Sequence, residues 1–438
     1  MERDVMRQLL DWRASARRKP LLLEGARQTG KTWLLRELGR QAYDQTAYVD
    51  FEQTPSLGAI FDGDFDAARI IAQLRVATGV AIQPGNTLVV LDEIQACPRA
   101  VTALKYLGEH AGDHHIACAG SLLGVALHAE DSFPVGKVNF VGVGPLTFWE
   151  FLRATGEAAL ADVLRDQDWE LLGPFHDRLV AALRDYLFVG GMPEAVRQFA
   201  PDRDYSQARA VQLEILHAYD LDFSKHAPAE QVPRLRSIWQ AVPGQLAKSQ
   251  SRFAYSDLGG GARSRSHGAA IEWLAQAGVV VRVNRVGAPR MPLAGYADQS
   301  AFKLFLADVG LLGALAGLDA TAVLQPNRLF TEFKGALVEQ YAATQLTAAF
   351  GTPPHYWSNA GGLAEVDFVV QRADDTVPVE VKAGRNLKAQ SLRVYREKFT
   401  PALAVRASLA PHQRHAGLVD LPLYALQALP RLDQPPGA

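Results

Sequence analysis

Residues 25–32, Gly25-Ala26-Arg27-Gln28-Thr29-Gly30-Lys31-Thr32, read G-x-x-x-x-G-K-T. They lie between an apolar run, Leu21-Leu22-Leu23, and a helical pattern, Trp33-Leu34-Leu35-Arg36-Glu37-Leu38. A strand that turns into a helix through such a loop restricts the surrounding fold to an α/β sheet with its ligand at the strand ends. Each residue type has a reason. Gly25 and Gly30 let the backbone bend so that the amides of Ala26 to Thr29 converge on one anion. A helix starting near Lys31 adds unpaired N–H groups and the positive end of its dipole. Lys31 is expected to reach the β- and γ-phosphates, and the Thr32 hydroxyl to bind Mg²⁺. The eight residues therefore predict a site for a nucleoside triphosphate with Mg²⁺.

At 438 residues the chain exceeds what one hydrophobic core usually supports, so two to four domains are expected. The net charge of −2 means that contact with nucleic acid has to come from a local basic patch. Cys97 and Cys118 lack CxxC spacing and indicate no disulfide framework, which favours a reducing cytoplasm. Met1 to Lys19 is charged throughout and lacks the apolar core of a secretory signal. No stretch approaches the roughly 20 apolar residues of a membrane span. No membrane association is expected, and oligomerisation is left open.

Leu9, Leu10 and Trp12 suggest a short amphipathic helix before a P-loop strand at residues 20–24. Strands are expected at 47–51, 87–93, 115–119 and 138–141, with a helix from Ile60 to Val76. The run Thr87-Leu88-Val89-Val90-Leu91-Asp92-Glu93 is continuously apolar and ends in two acids, the pattern of a buried parallel strand with its carboxyl end at a ligand. Asp92 suits Mg²⁺ coordination, and Glu93 suits orienting and polarising the attacking water. The strand at 115–119 leads to Gly120-Ser121, where Ser121 is placed to sense the γ-phosphate or the water; a plain turn is the competing reading. His110, His114 and His115 lead into a buried strand without a cysteine partner, so a structural role is expected.

Four segments together resemble a prokaryotic family of AAA-type ATPases with a C-terminal uncharacterised domain similar to restriction endonucleases. They are residues 25–32, Leu91-Asp92-Glu93-Ile94-Gln95, Ala119-Gly120-Ser121-Leu122-Leu123-Gly124 and Gly190-Gly191-Met192-Pro193-Glu194. The resemblance runs from about residue 3 to 410 and implies an AAA-type sheet with a central P-loop strand. It also implies a helical lid in which Gly191 and Pro193 contact the nucleotide, although a helix-breaking turn explains them equally well. Lys137 stands where the resemblance implies a sensing arginine.

Between Lys225 and Lys303, eleven Lys and Arg face four Asp and Glu. A helix at 253–258 capped by Ser256, a turn at Gly259 to Gly261, a second helix from about Ser266 to Gln276 and a strand at 279–283 follow the order of a winged helix. Arg263, Arg265 and His267 would gather at the start of the second helix, where they suit DNA. A winged helix that only packs on the ATPase fits equally.

Phe330 to Phe350 reads as a helix carrying Glu339, followed by strands at 364–370 and 376–382 joined by a turn from Gln371 to Asp375. Glu380 and Lys382 are two residues apart on a strand, so they share a face about 6.6–6.8 Å apart. Asp367 with Glu380-x-Lys382 on a hairpin resembles the PD-(D/E)xK nucleases, in which two carboxylates hold Mg²⁺ and the lysine faces the attacked phosphate. Glu339 would be an additional acid. A solvated edge strand gives the same pattern.

The reading is an α/β chain with residues 1–145 an AAA-type P-loop core, 146–224 a helical lid and 225–300 winged-helix-like. Residues 301–428 would be restriction-endonuclease-like and 429–438 a tail. The expected function is a Mg²⁺-dependent ATPase, a hydrolase acting as a nucleotide-driven switch on a DNA-binding or nuclease-like region. An ATP-dependent DNA nuclease and a non-hydrolysing ATP-binding regulator are the alternatives.

Overall fold

The computed structural model describes residues 1–120, 136–248, 252–259, 261–319, 333–359, 361–384 and 389–432. They form two compact units, one of Glu2–Gly144 with Gln276–Gly278 and one of Met1, Pro145–Ala275 and Val279–Ala438.

The first unit is a five-stranded parallel sheet of β1 (Leu21–Glu24), β2 (Gln45–Asp50), β3 (Thr87–Asp92), β4 (His115–Ala119) and β5 (Asn139–Gly142). Its order is β2-β3-β4-β1-β5. The P-loop strand β1 is flanked on both sides but lies one place from the edge; β4 is the middle strand. Alternation along the strands divides their side chains between two cores. Leu22, Val49, Val89, Leu91 and Ile116 pack with the helices Ala67–Thr78 and Pro98–His110. Leu21, Leu23, Leu88, Val90 and Ala117 pack with the helices Val5–Ala14 and Lys31–Ala42. Each such side chain contributes about 1.5–3 kcal/mol on burial, which is why a run apolar on both faces becomes an interior strand. In the N-terminal helix Met6, Leu9 and Trp12 are buried, whereas Leu10 faces outward. His115 is a core residue: its Nδ1 meets the Tyr43 hydroxyl at 2.7 Å, and burial lowers its pKa to about 4. Lys137 pairs with Glu109 at 2.7 Å.

The second unit begins with helices, including Phe148–Ala154, His176–Val189, Pro193–Phe199, Tyr205–His226 and Val232–Leu246. The segment expected to be a Ser256-capped helix is a four-residue 3₁₀ turn, Tyr255–Leu258, preceded by Ala254 and without a side-chain cap. Four residues close too few i→i+4 bonds for an α-helix. The helix Ser264–Gln276 follows, then β6 (Val280–Val286) and β7 (Ala297–Leu306), which pair antiparallel.

That hairpin continues into one eight-stranded sheet with β8 (His355–Ser358), β9 (Glu365–Arg372), β10 (Asp375–Val381), β11 (Ala404–Ser408), β12 (Gln413–His415) and β13 (Leu418–Pro422). The order is β12-β13-β11-β10-β9-β8-β6-β7. β10 is therefore an interior strand, antiparallel to β9 and parallel to β11, and not the edge strand its pattern also allowed. The helix Lys334–Phe350 precedes β8, and Gln390–Phe399 lies between β10 and β11. The β9–β10 turn is tighter than expected, because both strands extend toward residues 373–374 and Ala373 turns left-handed with φ 50°.

Candidate nucleotide site and a second lysine–acid cluster

Gly25 follows β1 with φ +143°, and a Cβ there would stand 2.2 Å from the Val143 carbonyl oxygen. Only glycine fits. Gln28 (φ 64°) and Gly30 (φ 92°) bend the loop again, and Gly30 is the N-cap of the helix Lys31–Ala42. The loop is braced from within and from below. The Thr29 hydroxyl donates to the Ala26 carbonyl at 2.9 Å. The buried Arg3 donates to the carbonyls of Thr29 (2.9 Å) and Gly144 (2.7 Å), joining the loop to the end of the sheet. Arg27 pairs with Glu52 at 3.4 Å.

The Lys31 ammonium donates to the carbonyls of Gly25 (2.9 Å) and Ala26 (2.7 Å). Burial lowers its pKa to about 8, against the pull of Glu93 and Asp92 and with the push of Arg27. Asp92 and Glu93 stand at the end of β3 as the sequence predicts. Asp92 is buried and accepts from the Tyr48 hydroxyl (2.6 Å) and the Glu93 amide (3.0 Å). Glu93 adopts φ 48°, ψ 45°, a left-handed conformation costing about 1–3 kcal/mol away from glycine. Gln95 donates to its carboxylate at 2.5 Å. Burial raises the Glu93 pKa, partly offset by that hydrogen bond. Ser121 lies outside the described residues.

The hard oxygens of Thr32 and Asp92 fit Mg²⁺, and a cradle closed to any Cβ at Gly25 fits a phosphate chain. Sequence reasoning missed Arg3, Tyr48 and Gln95. Gln95 carried a readable signal, a polar side chain one short turn beyond Glu93.

Gly191 and Pro193 belong to the other unit, where local packing accounts for both. A Cβ on Gly191 would stand 2.0 Å from the Leu146 carbonyl oxygen, and its amide donates to Asp308 at 2.6 Å. Pro193 opens the helix Pro193–Phe199, where its missing N–H costs nothing. Asp308 also accepts from the Leu311 amide at 3.0 Å, and burial raises its pKa to about 6 against these bonds. Arg263 and Arg265 are exposed at the start of the helix Ser264–Gln276. Much of the surrounding positive charge is neutralised, since Arg236, Lys248, Arg282, Arg285 and Lys303 are each ion-paired.

The C-terminal residues singled out in the sequence converge. Phe368 faces Val379 in the β9–β10 register, so Asp367 and Glu380 are neighbours one step further along. Asp367 Oδ2 accepts from the Val381 amide at 2.7 Å. Lys382 Nζ donates to Glu380 Oε1 at 2.6 Å, while Glu380 Oε2 is buried without a hydrogen-bond partner. Burial, with Glu380 and Glu339 nearby, raises the Asp367 pKa well above the usual carboxylate range. Burial raises Glu380 too, against Lys382. The structure adds two residues that the sequence reading did not place there. Lys303 on β7 is fully buried and meets Glu365 Oε1 at 2.7 Å and Glu339 Oε2 at 3.3 Å. Burial disfavours its charge, but Glu339, Glu365 and Asp367 outweigh this and hold its pKa above the usual lysine value. The cluster does not fit a metal centre as it stands: among the described residues, no three His, Cys, Asp or Glu are grouped to hold a metal ion.

Comparison with known proteins matches three stretches of the chain. Residues 17–152 match the family model "AAA domain". Residues 180–322 and 334–426 match two domains of unknown function, DUF8612 and DUF4143. No curated protein matches. Among solved structures, the chain is similar to the Walker-type ATPase PABY2304 of Pyrococcus abyssi, with 14% identity, TM-score 0.44, and coverage of 72% of this chain and 95% of that one. It is also similar to the Aeropyrum pernix ORC1 protein in complex with DNA, at 16% identity and TM-score 0.28, covering 73% and 93%. Cdc6p from Pyrobaculum aerophilum gives 14%, 0.26, 74% and 93%. No helix among the described residues is long and apolar enough to cross a membrane. The P-loop, the parallel sheet and the acid pair all lie inside residues 17–152, the stretch that matches the AAA domain.

Proposed function

We propose that the chain hydrolyses ATP and uses the turnover as a switch acting on its second unit. The observation that carries the reading is the placement of Lys31, whose ammonium rests on two loop carbonyls beside Asp92 and Glu93. An incoming phosphate exchanges two neutral acceptors for charged ones, which adds the attraction of opposite full charges to the ammonium's hydrogen bonds. Arg3 and Thr29 hold the cradle's shape while this happens. Bound Mg²⁺, held by Thr32 and Asp92, would supply charge neutralisation at the phosphates. Glu93 is the group that orients the attacking water, with Gln95 holding its other oxygen, Oε2. Ser121 is proposed as the γ-phosphate sensor, and Gly191 and Pro193 as the part of the lid that responds to nucleotide. Phosphate release measured with and without Mg²⁺ tests the activity; ATP binding without release would favour the regulator reading.

The domain reading is retained as a proposal, with a winged-helix-like segment at 225–300 and a restriction-endonuclease-like region at 301–428. The order helix, β8, β9, β10, helix, β11, with Asp367, Glu380 and Lys382 meeting on it, favours the latter. Exposed Arg263 and Arg265 at a helix N-terminus, where the dipole disfavours cations, favour an anionic partner such as DNA. DNA binding that persists unchanged in the double alanine variant would remove that reading.

A further inference from the structure

We propose that Lys303 is the resident cation of the C-terminal acid cluster, and that the native cluster therefore takes up no Mg²⁺ or Mn²⁺. Four acids, Glu339, Glu365, Asp367 and Glu380, surround Lys303, although no three of them are grouped to hold an ion among themselves. The chain supplies its own positive charge. Lys303 sits within Ala301–Leu306, a wholly buried stretch of β7, so its ammonium has no route to solvent. It bridges Glu365 Oε1 (2.7 Å) and Glu339 Oε2 (3.3 Å) and lies 5.2 Å from the centroid of the Tyr356 ring, whose face favours a cation.

A metal would have to displace this ammonium, which is tethered to a strand whose neighbouring residues are buried and apolar. The two acids on the hairpin are engaged as well. Glu380 Oε1 holds Lys382, and Asp367 Oδ2 holds the Val381 amide. Glu380 Oε2, buried without a partner, invites a cation, and the experiment turns on it.

The test is a nucleotide-free Mn²⁺ titration, read from the electron-paramagnetic-resonance signal of the free ion, in full-length protein carrying Asp92→Asn to silence the P-loop domain. In this background no uptake is expected. Adding Lys303→Met should create uptake of about one ion per chain, with a rise in melting temperature on adding Mn²⁺. If that variant does not fold, Lys303→Met with Glu365→Gln leaves one fewer unpaired charge and still offers Glu339, Asp367 and Glu380. Uptake in the Asp92→Asn background that disappears on Asp367→Ala overturns the proposal, as does Mn²⁺-dependent DNA cutting lost in Asp367→Ala. Failure of both Lys303 variants to gain an ion overturns it equally.

Discussion

Lys31 and Lys303 are both buried lysines beside acids, yet their ammonium groups have different partners. Lys31 rests on carbonyl oxygens, and its pKa falls to about 8 because burial is not matched by a salt bridge. Lys303 is clasped by Glu339 and Glu365, and its pKa rises. Lys382, paired with Glu380, follows Lys303. The difference separates a lysine held by neutral carbonyls from a lysine already paired with carboxylates. Breaking a buried pair typically costs about 3–5 kcal/mol, so the C-terminal cluster is held as structure, whereas an incoming phosphate completes the P-loop.

The largest expected effect falls on Glu93. Glu93→Gln should lower single-turnover ATP hydrolysis by about 10²–10⁴ and leave ATP affinity intact. Glu380→Gln, in the other cluster, should leave the rate unchanged. Parental hydrolysis in the Glu93 variant would erase the functional contrast between the two acid groups.

A second effect follows from protonation. The folded pKa of Lys31 is lowered from 10.5 to about 8, so the ammonium is present below about pH 8 and is lost above it. ATP affinity should fall as pH rises past 8, and Lys31→Arg should flatten the profile by keeping its charge. In the unliganded protein the unfolded chain binds the extra proton between pH 8 and 10.5, so this residue makes stability rise over that window. A flat affinity profile for the parent would show that Lys31 is not the charge that phosphate meets.

A smaller change is expected from Arg263→Ala with Arg265→Ala, which should weaken duplex DNA binding several-fold and reduce the salt slope by about 2. ATP hydrolysis without DNA should not move. Smallest is the response of Asp308, whose folded pKa is raised from 3.8 to about 6. The folded chain binds the extra proton in that window, so this group's contribution to stability is lost as pH rises through it. Urea midpoints measured across pH 4–7 should show that slope in the parent and lose it in Asp308→Asn.

The P-loop domain was largely legible because its signals are local. A continuous apolar run from Leu88 to Leu91 ending in two acids fits an interior strand, and Gly25 and Gly30 stand where the backbone needs positive φ. Its braces were not legible, since Arg3 reaches Thr29 and Gly144 from 26 and 141 residues away. In the second unit the strands at Asp367 and Glu380 were visible, but their place inside an eight-stranded sheet depended on β6 and β7, far off in sequence. Lys303 shows the limit most clearly. By composition it was one more positive charge in a basic stretch, although a lone lysine within Ala301-Phe302-Lys303-Leu304-Phe305-Leu306 is a sign of a buried, paired charge. Ser256 failed as a helix cap because only Asp257 and Leu258 follow it before Gly259.

Equilibrium binding of ATP with Mg²⁺ to the parent, Lys31→Ala and Lys382→Ala tests the central contrast most directly. Loss of a charge-assisted contact worth about 1.5–3 kcal/mol predicts affinity about 10–100-fold weaker for Lys31→Ala, with Lys382→Ala equal to the parent. Equal affinity in the parent and Lys31→Ala would contradict the account.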